Sequence, residues 1–237
     1  GFQGGLGNGF LGTNKILATA KHFIGDGGTL DGVDKGNTIL SEEDLIEIHA
    51  QGYISTINAG VQFVMASFNS WNGDKLHGQK YLLSDLLKDQ LGFDGIVLGD
   101  WNGHQEVAGC SVESCANAIN AGLDMFMITE NWRSLYKNTL QQVLSGEILE
   151  VRLEDAVRRI LRVKLRYGLH EKGKPSSRIS PEDINSIGSS EHRDLARKAV
   201  QESLVLLKNN KNVLPIDPSK KILIVGEGSK RISKATG

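Results

Sequence analysis

Few features of this sequence tie it to a macromolecular partner or a metal. Its 237 residues include two cysteines, four prolines and 6% aromatic residues. No apolar run approaches the roughly 20 residues of a membrane span, and no signal-peptide pattern opens the chain. The 27 Lys and Arg are balanced by 28 Asp and Glu, a formal net charge of −1. The absence of a basic excess argues against nucleic acid or an anionic membrane as partner. Cys110 and Cys115 leave two readings open, a local disulfide in an oxidising compartment or two free thiols. No second ligand pair for zinc accompanies them. His49, His77, His104, His170 and His192 show no metal-ligand spacing such as His-Glu-x-x-His and are read as structural. Gly226-Glu227-Gly228 follows an apolar run, but Arg231 stands where the third glycine of G-x-G-x-x-G belongs, which disfavours a nucleotide site. The Gly25–Gly32 loop does not fit the calcium-loop pattern. No cofactor is expected.

What is abundant is glycine, 28 residues, with 39% hydrophobic and 23% charged residues, the balance of a globular protein. Apolar strand-like runs alternate with helical patterns. Residues 15–20 read as a strand ending on Lys21-His22-Phe23. Ser41 with Asp44 reads as a capping box opening a helix with Ile46, Ala50, Tyr53, Ile54 and Ile57 on one face. Gln62 to Ser67 is the next strand, followed by a helix carrying Leu82, Leu83, Leu86 and Leu87. A strand from Ile96 to Leu98, a helix over 113–120, a strand over 123–127 and helices over 132–144 and 152–167 complete the pattern. Such alternation predicts a parallel α/β unit. The arginines of the 152–167 helix read most simply as a solvated face. Residues 170–190, with Ser180-Pro181, read as a linker. A helix through Leu204 and Leu207 and a strand over 221–225 then read as the start of a second domain. The glycine-rich opening without an initiator Met, and the stop at Gly237 soon after that strand, lead us to expect a piece of a longer protein.

Two constellations carry chemistry. Gly99-Asp100-Trp101 ends a strand, and polar side chains just past the carboxyl ends of parallel strands are where ligands bind. A carboxylate beside an indole suits a sugar, whose apolar face stacks on the ring. On its own, Asp100 reads more simply as a cap of the following helix or turn than as a catalyst. Lys21 with His22 offers several hydrogen-bond donors to sugar hydroxyls; the bland alternative is a paired lysine and a buried histidine.

Taken together, Lys21-His22-Phe23, Val64-Met-Ala-Ser-Phe-Asn-Ser-Trp-Asn-Gly73, Gly92-Phe-Asp-Gly95 and Gly99-Asp-Trp-Asn-Gly103 resemble glycoside hydrolase family 3. So do Asn120 to Met127, Asp155 to Lys164 and Leu204 to Asn209, and the resemblance extends over the whole chain. It is most similar to the family's bacterial β-glucosidases and plant-like β-glucan exohydrolases. The resemblance implies the C-terminal half of a (β/α)8 barrel over 1–168, a linker over 169–190 and the start of an α/β sandwich domain over 191–237. It implies Asp100 as catalytic nucleophile, Trp101 beside the acceptor sugar, Lys21 and His22 as clamp of the terminal glucose, and Met65 and Phe68 lining the pocket. Phe68 departs from the tyrosine usual in the family. The implied substrate is a β-glucoside or β-glucan oligosaccharide, cleaved with retention. The acid/base Glu would lie in the sandwich domain, beyond Gly237, since the loop from Ile24 to Ser41 lacks the histidine that another branch uses. A periplasmic or secreted parent protein is expected. A non-catalytic carbohydrate-binding relative is the alternative, and the 237-residue piece alone is expected to show little or no hydrolysis.

Overall fold

Residues 2–7, 9–12, 15–178 and 184–231 are described in a computed structural model. The strands in chain order are β1 (Thr19–Phe23), β2 (Asn37–Thr38), β3 (Phe63–Ala66), β4 (Ser70–Trp71), β5 (Asp74–Lys75), β6 (Ile96–Trp101) and β7 (Met125–Met127). Four of them form one sheet in the order β1-β3-β6-β7, every pair parallel. Successive strands are neighbours because a helical segment returns the chain between them. The expected α/β unit with a parallel sheet is therefore present. The chain divides into Gly1–Lys174, which holds this sheet, and Pro175–Gly237.

One face of the sheet is sealed. Val64, Ala66 and Val97 are fully buried against Leu82, Leu83 and Leu87 of the helix Tyr81–Gln90. Side chains as large as valine and leucine each contribute about 1.5–3 kcal/mol on burial. The other face, reached by strand alternation, is half open: Phe63, Leu98, Met125 and Met127 are only partly buried. The continuous helical run Glu42–Asp44, Leu45–Ala50 and Gln51–Asn58 starts as the sequence predicts. Ser41 Oγ accepts the Asp44 N–H at 3.1 Å and donates to Asp44 Oδ2 at 2.6 Å, a cap of about 1 kcal/mol.

A smaller three-stranded sheet, β2-β4-β5, sits on the loop after β3. Asn72 and Gly73 turn β4 into β5 with φ of 50° and 101°. Both are left-handed, as a two-residue hairpin of matching twist requires. Cys110 and Cys115 form a disulfide that closes the loop after β6.

The arginines of the helix Glu150–Arg166 correct the solvated-face reading. Arg152 and Arg159 have side chains only 12% exposed. Arg152 pairs with Asp124 and reaches Asp155 at 2.7 Å. Arg159 bonds Asp155 at 2.9 Å and the carbonyls of Phe93 and Gly95 at 2.7 and 3.2 Å. Lys88 joins them at 2.8 Å from Asp124 and 3.2 Å from Asp155. Burial pushes the Lys88 ammonium down from its ordinary value, and Asp124 opposes that shift. Arg158, 73% exposed beside Glu154, does fit the solvated reading.

In the second unit the helix Ser190–Ser203 forms, capped by Ser189. It stops short of Leu207, and the expected strand over 221–225 does not appear. Leu223, Ile224 and Val225 are 73–85% exposed and no described strand lies beside them to pair with. Ser180 and Pro181 of the expected linker lie outside the described residues.

The Asp124 side chain is fully buried, yet it accepts from Lys88, Arg152 and the Val97 N–H of β6. Asp124→Ala should therefore lower unfolding free energy by about 3–5 kcal/mol, because two cations lose their buried counter-charge. Urea unfolding checks this; a loss below about 1 kcal/mol would mean that water replaces the carboxylate freely.

Candidate active site

The parallel strands place their carboxyl ends together, and the expected residues stand there. Lys21 and His22 end β1, Phe68 follows β3, and Asp100 and Trp101 end β6. His22 and Asp100 meet across the intervening strand: His22 Nε2 lies 3.4 Å from Asp100 Oδ2. The other ring nitrogen of His22 lies 3.3 Å from Asp26 Oδ2, so two carboxylates hold the imidazole. Asp26 in turn accepts from Ser67 Oγ at 3.3 Å. Asp100 does not cap the turn after β6: the cap position of Gly103–Glu106 is Asn102, which makes no side-chain cap. Asp100 Oδ1 instead accepts its neighbour Trp101 N–H at 2.7 Å, leaving Oδ2 on the His22 side.

The remaining expected residues surround this pair unevenly. Trp101 is 62% exposed, its indole available to a flat partner. Met65 is buried on β3, in register with Leu98 of β6. Lys21 is exposed and lines a cavity of about 260 Å³ with His22, Asp26, His49 and Tyr53. Burial, with the Asp26 charge, pushes the Tyr53 hydroxyl well above its ordinary range.

Phe68 is held from three sides. Lys35 Nζ sits 4.2 Å over its ring, Lys75 Nζ donates to its carbonyl at 3.0 Å, and the His77 ring packs at 5.8 Å. Lys35 and Lys75 both pair with Glu106, at 3.7 and 3.9 Å.

His77, read from the sequence as structural, touches the site directly. Its Nε2 accepts the Asp100 N–H at 2.9 Å. Burial pushes His77 down to about 4; Asp100 opposes this, His104 and Lys75 reinforce it, and the Ser67 backbone opposes it. The only sequence signal was its place in Asn72-Gly-Asp-Lys-Leu-His77, whose Asn-Gly hairpin returns the chain beneath Phe68.

The model of the glycosyl hydrolase family 3 N-terminal domain matches residues 3–163. The chain belongs to this family. A crystal structure of exo-1,3/1,4-β-glucanase from a Pseudoalteromonas species superposes with a TM-score of 0.82 at 55% identity, covering 96% of this chain and 28% of that one. A β-glucosidase from Listeria innocua, solved in complex with glucose, gives a TM-score of 0.69 at 28% identity, covering 86% of this chain and 28% of that one. Among curated relatives, a β-xylosidase of Formosa agariphila is 33% identical over 87% of this chain and 30% of its own length. A periplasmic β-glucosidase of Salmonella typhimurium is 30% identical over 89% of this chain and 28% of its own length. The chain thus spans under a third of the length of these relatives.

In this family 3 chain the buried His77 should be readable as a pH effect. The unfolded ring binds its proton at the ordinary 6.5, the folded ring only near 4. Between those values the unfolded state holds more protons, so stability rises with pH and is lost on acidification, by about 3 kcal/mol in all. His104, also pushed down by burial, adds in the same direction. Urea midpoints from the acid side to neutrality should follow this slope, and His77→Gln should remove most of it; an unchanged slope would contradict the burial effect.

Proposed function

We propose that the protein is a retaining glycoside hydrolase releasing β-D-glucose from the non-reducing end of β-glucosides or β-glucans, with Asp100 as nucleophile. The observation that carries the reading is the meeting of Asp100 and His22 at 3.4 Å, from two strands of one parallel sheet. The 55% identity to an exo-1,3/1,4-β-glucanase supports the substrate class. Asp100 attacks the anomeric carbon and forms an ester bond to the sugar. The glycosidic C–O bond breaks, and the leaving oxygen takes a proton from a carboxylic acid. The resulting carboxylate then removes a proton from water, which attacks the same carbon, releases β-glucose and frees Asp100. The acid/base is assigned to a Glu outside this chain.

Lys21 and His22 hold hydroxyls of the terminal glucose, Trp101 stacks on the next sugar, and Met65 and Phe68 line the pocket. The half-open sheet face and the edge strands β1 and β7, each paired on one side only among the described residues, support a half-barrel over 1–168. The linker over 169–190 and sandwich start over 191–237 complete the proposed domains. A periplasmic or secreted location is supported by the disulfide and by the periplasmic Salmonella relative. Among the described residues, no helix is long and apolar enough to cross a membrane. Phe68, without the hydroxyl usual at its position, favours one alternative, a sugar-binding relative that does not turn over.

In the full-length parent protein, Asp100→Asn should lower kcat on an aryl β-glucoside by about a thousandfold or more, and proton NMR of the wild-type reaction should show β-glucose first. Loss of less than about tenfold, or α-glucose first, would overturn the assignment. Binding of glucose without any turnover would favour the alternative.

A further inference from the structure

We infer that His77 is a positioning residue for Asp100, holding its backbone amide through a ring nitrogen that serves only as an acceptor. The inference rests on the proposed role of Asp100 as nucleophile. Asp100 stands where the sheet ladder is interrupted. The described β3 register ends at Met65 with Leu98, and the β7 register shifts between Leu98 and Trp101. His77 fills that interruption, its Nε2 taking the Asp100 N–H at 2.9 Å. A backbone N–H can only donate, so Nε2 must carry a lone pair and the neutral ring must hold its proton on Nδ1. Complete burial favours that neutral form.

The ring is wedged as well as bonded. A Cβ on Gly103 would lie 2.2 Å from Nε2 and 2.3 Å from Cε1, and one on Gly99 would lie 3.6 Å from Cδ2. Phe68 covers another side at 5.8 Å. Gly103 therefore makes room for the imidazole, with Gly99 at ordinary contact distance on the other side of Asp100, and the ring packs against the backbone between them. With the Asp100 amide fixed and Oδ1 engaged by Trp101 N–H, the attacking carboxylate has little freedom left. Reaction rates fall about a hundredfold for a misplacement near 1 Å, so the loss of this one bond should appear in the chemical step.

The test compares two variants of the whole protein. His77→Phe keeps a ring but loses the acceptor; His77→Gln returns an acceptor oxygen. His77→Phe should lower kcat about 10- to 100-fold while the inhibition constant of glucose changes less than about threefold. His77→Gln should recover at least about tenfold of the lost kcat. An undiminished kcat in His77→Phe, a parallel loss of glucose binding, or no gain in His77→Gln would overturn the inference. One measurement needs no variant: long-range ¹H–¹⁵N spectra of histidine-labelled protein at neutral pH should show His77 protonated on Nδ1 alone. Protonation on Nε2 would overturn the inference even if both variants fail to fold. An Asp100 that acts in catalysis while His77→Phe is unaffected would refute this inference and leave the nucleophile assignment standing.

Discussion

The parallel pairing of β6 between β3 and β7 is the constraint on which the site depends. A strand bonded on both sides and buried on its helix-facing side cannot slide without breaking two ladders and exposing its core side chains. Its last residues consequently have a fixed address. Val97 is anchored a second time, through its N–H to the buried Asp124 carboxylate at 2.8 Å. Asp124 belongs to the ionic cluster of Lys88, Arg152, Asp155 and Arg159, which ties the helix Glu150–Arg166 to the entry of β6 and to the residues that lead into β7. Such a cluster costs desolvation, and its contribution is geometric: it sets where the strand begins, and Asp100 sits where it ends.

At that end the physics changes sign. The clamp at the start of β6 centres on the fully buried Asp124 carboxylate, whereas Asp100, His22 and Asp26 are all partly exposed. A partly exposed carboxylate at the carboxyl end of a rigid parallel sheet can meet a ligand without unfolding anything.

Much of this was legible because periodicity reports packing. The strands ending at Phe23, near Ser67 and at Asp100 could be read from short apolar runs, and the Ser41 cap from its spacing to Asp44. Lys21, His22 and Asp100 could be named through motifs, while the meeting of His22 with Asp100 across β3 could not, since it depends on register. The role of the arginines was hidden because Arg152 and Arg159 repeat at helical spacing whether they face water or a buried aspartate. His77 was hidden for a different reason: a lone histidine carries no spacing signal, and its partner is a backbone amide. The Asn72-Gly73 pair favours a tight hairpin turn, and that hairpin is what brings His77 back toward β6. The run over 221–225 shows the opposite failure, since apolar β-branched residues predict a strand only when a neighbour is there to pair.

The central claim is that Asp100 bonds covalently to the sugar during turnover. Its most direct test is inactivation of the protein with a 2-deoxy-2-fluoro-β-glucoside, followed by digestion and mass spectrometry. The account predicts a single added fluorosugar on the peptide from Gly95 to Gly103, at Asp100. An adduct on another residue, or turnover without any adduct, would contradict it.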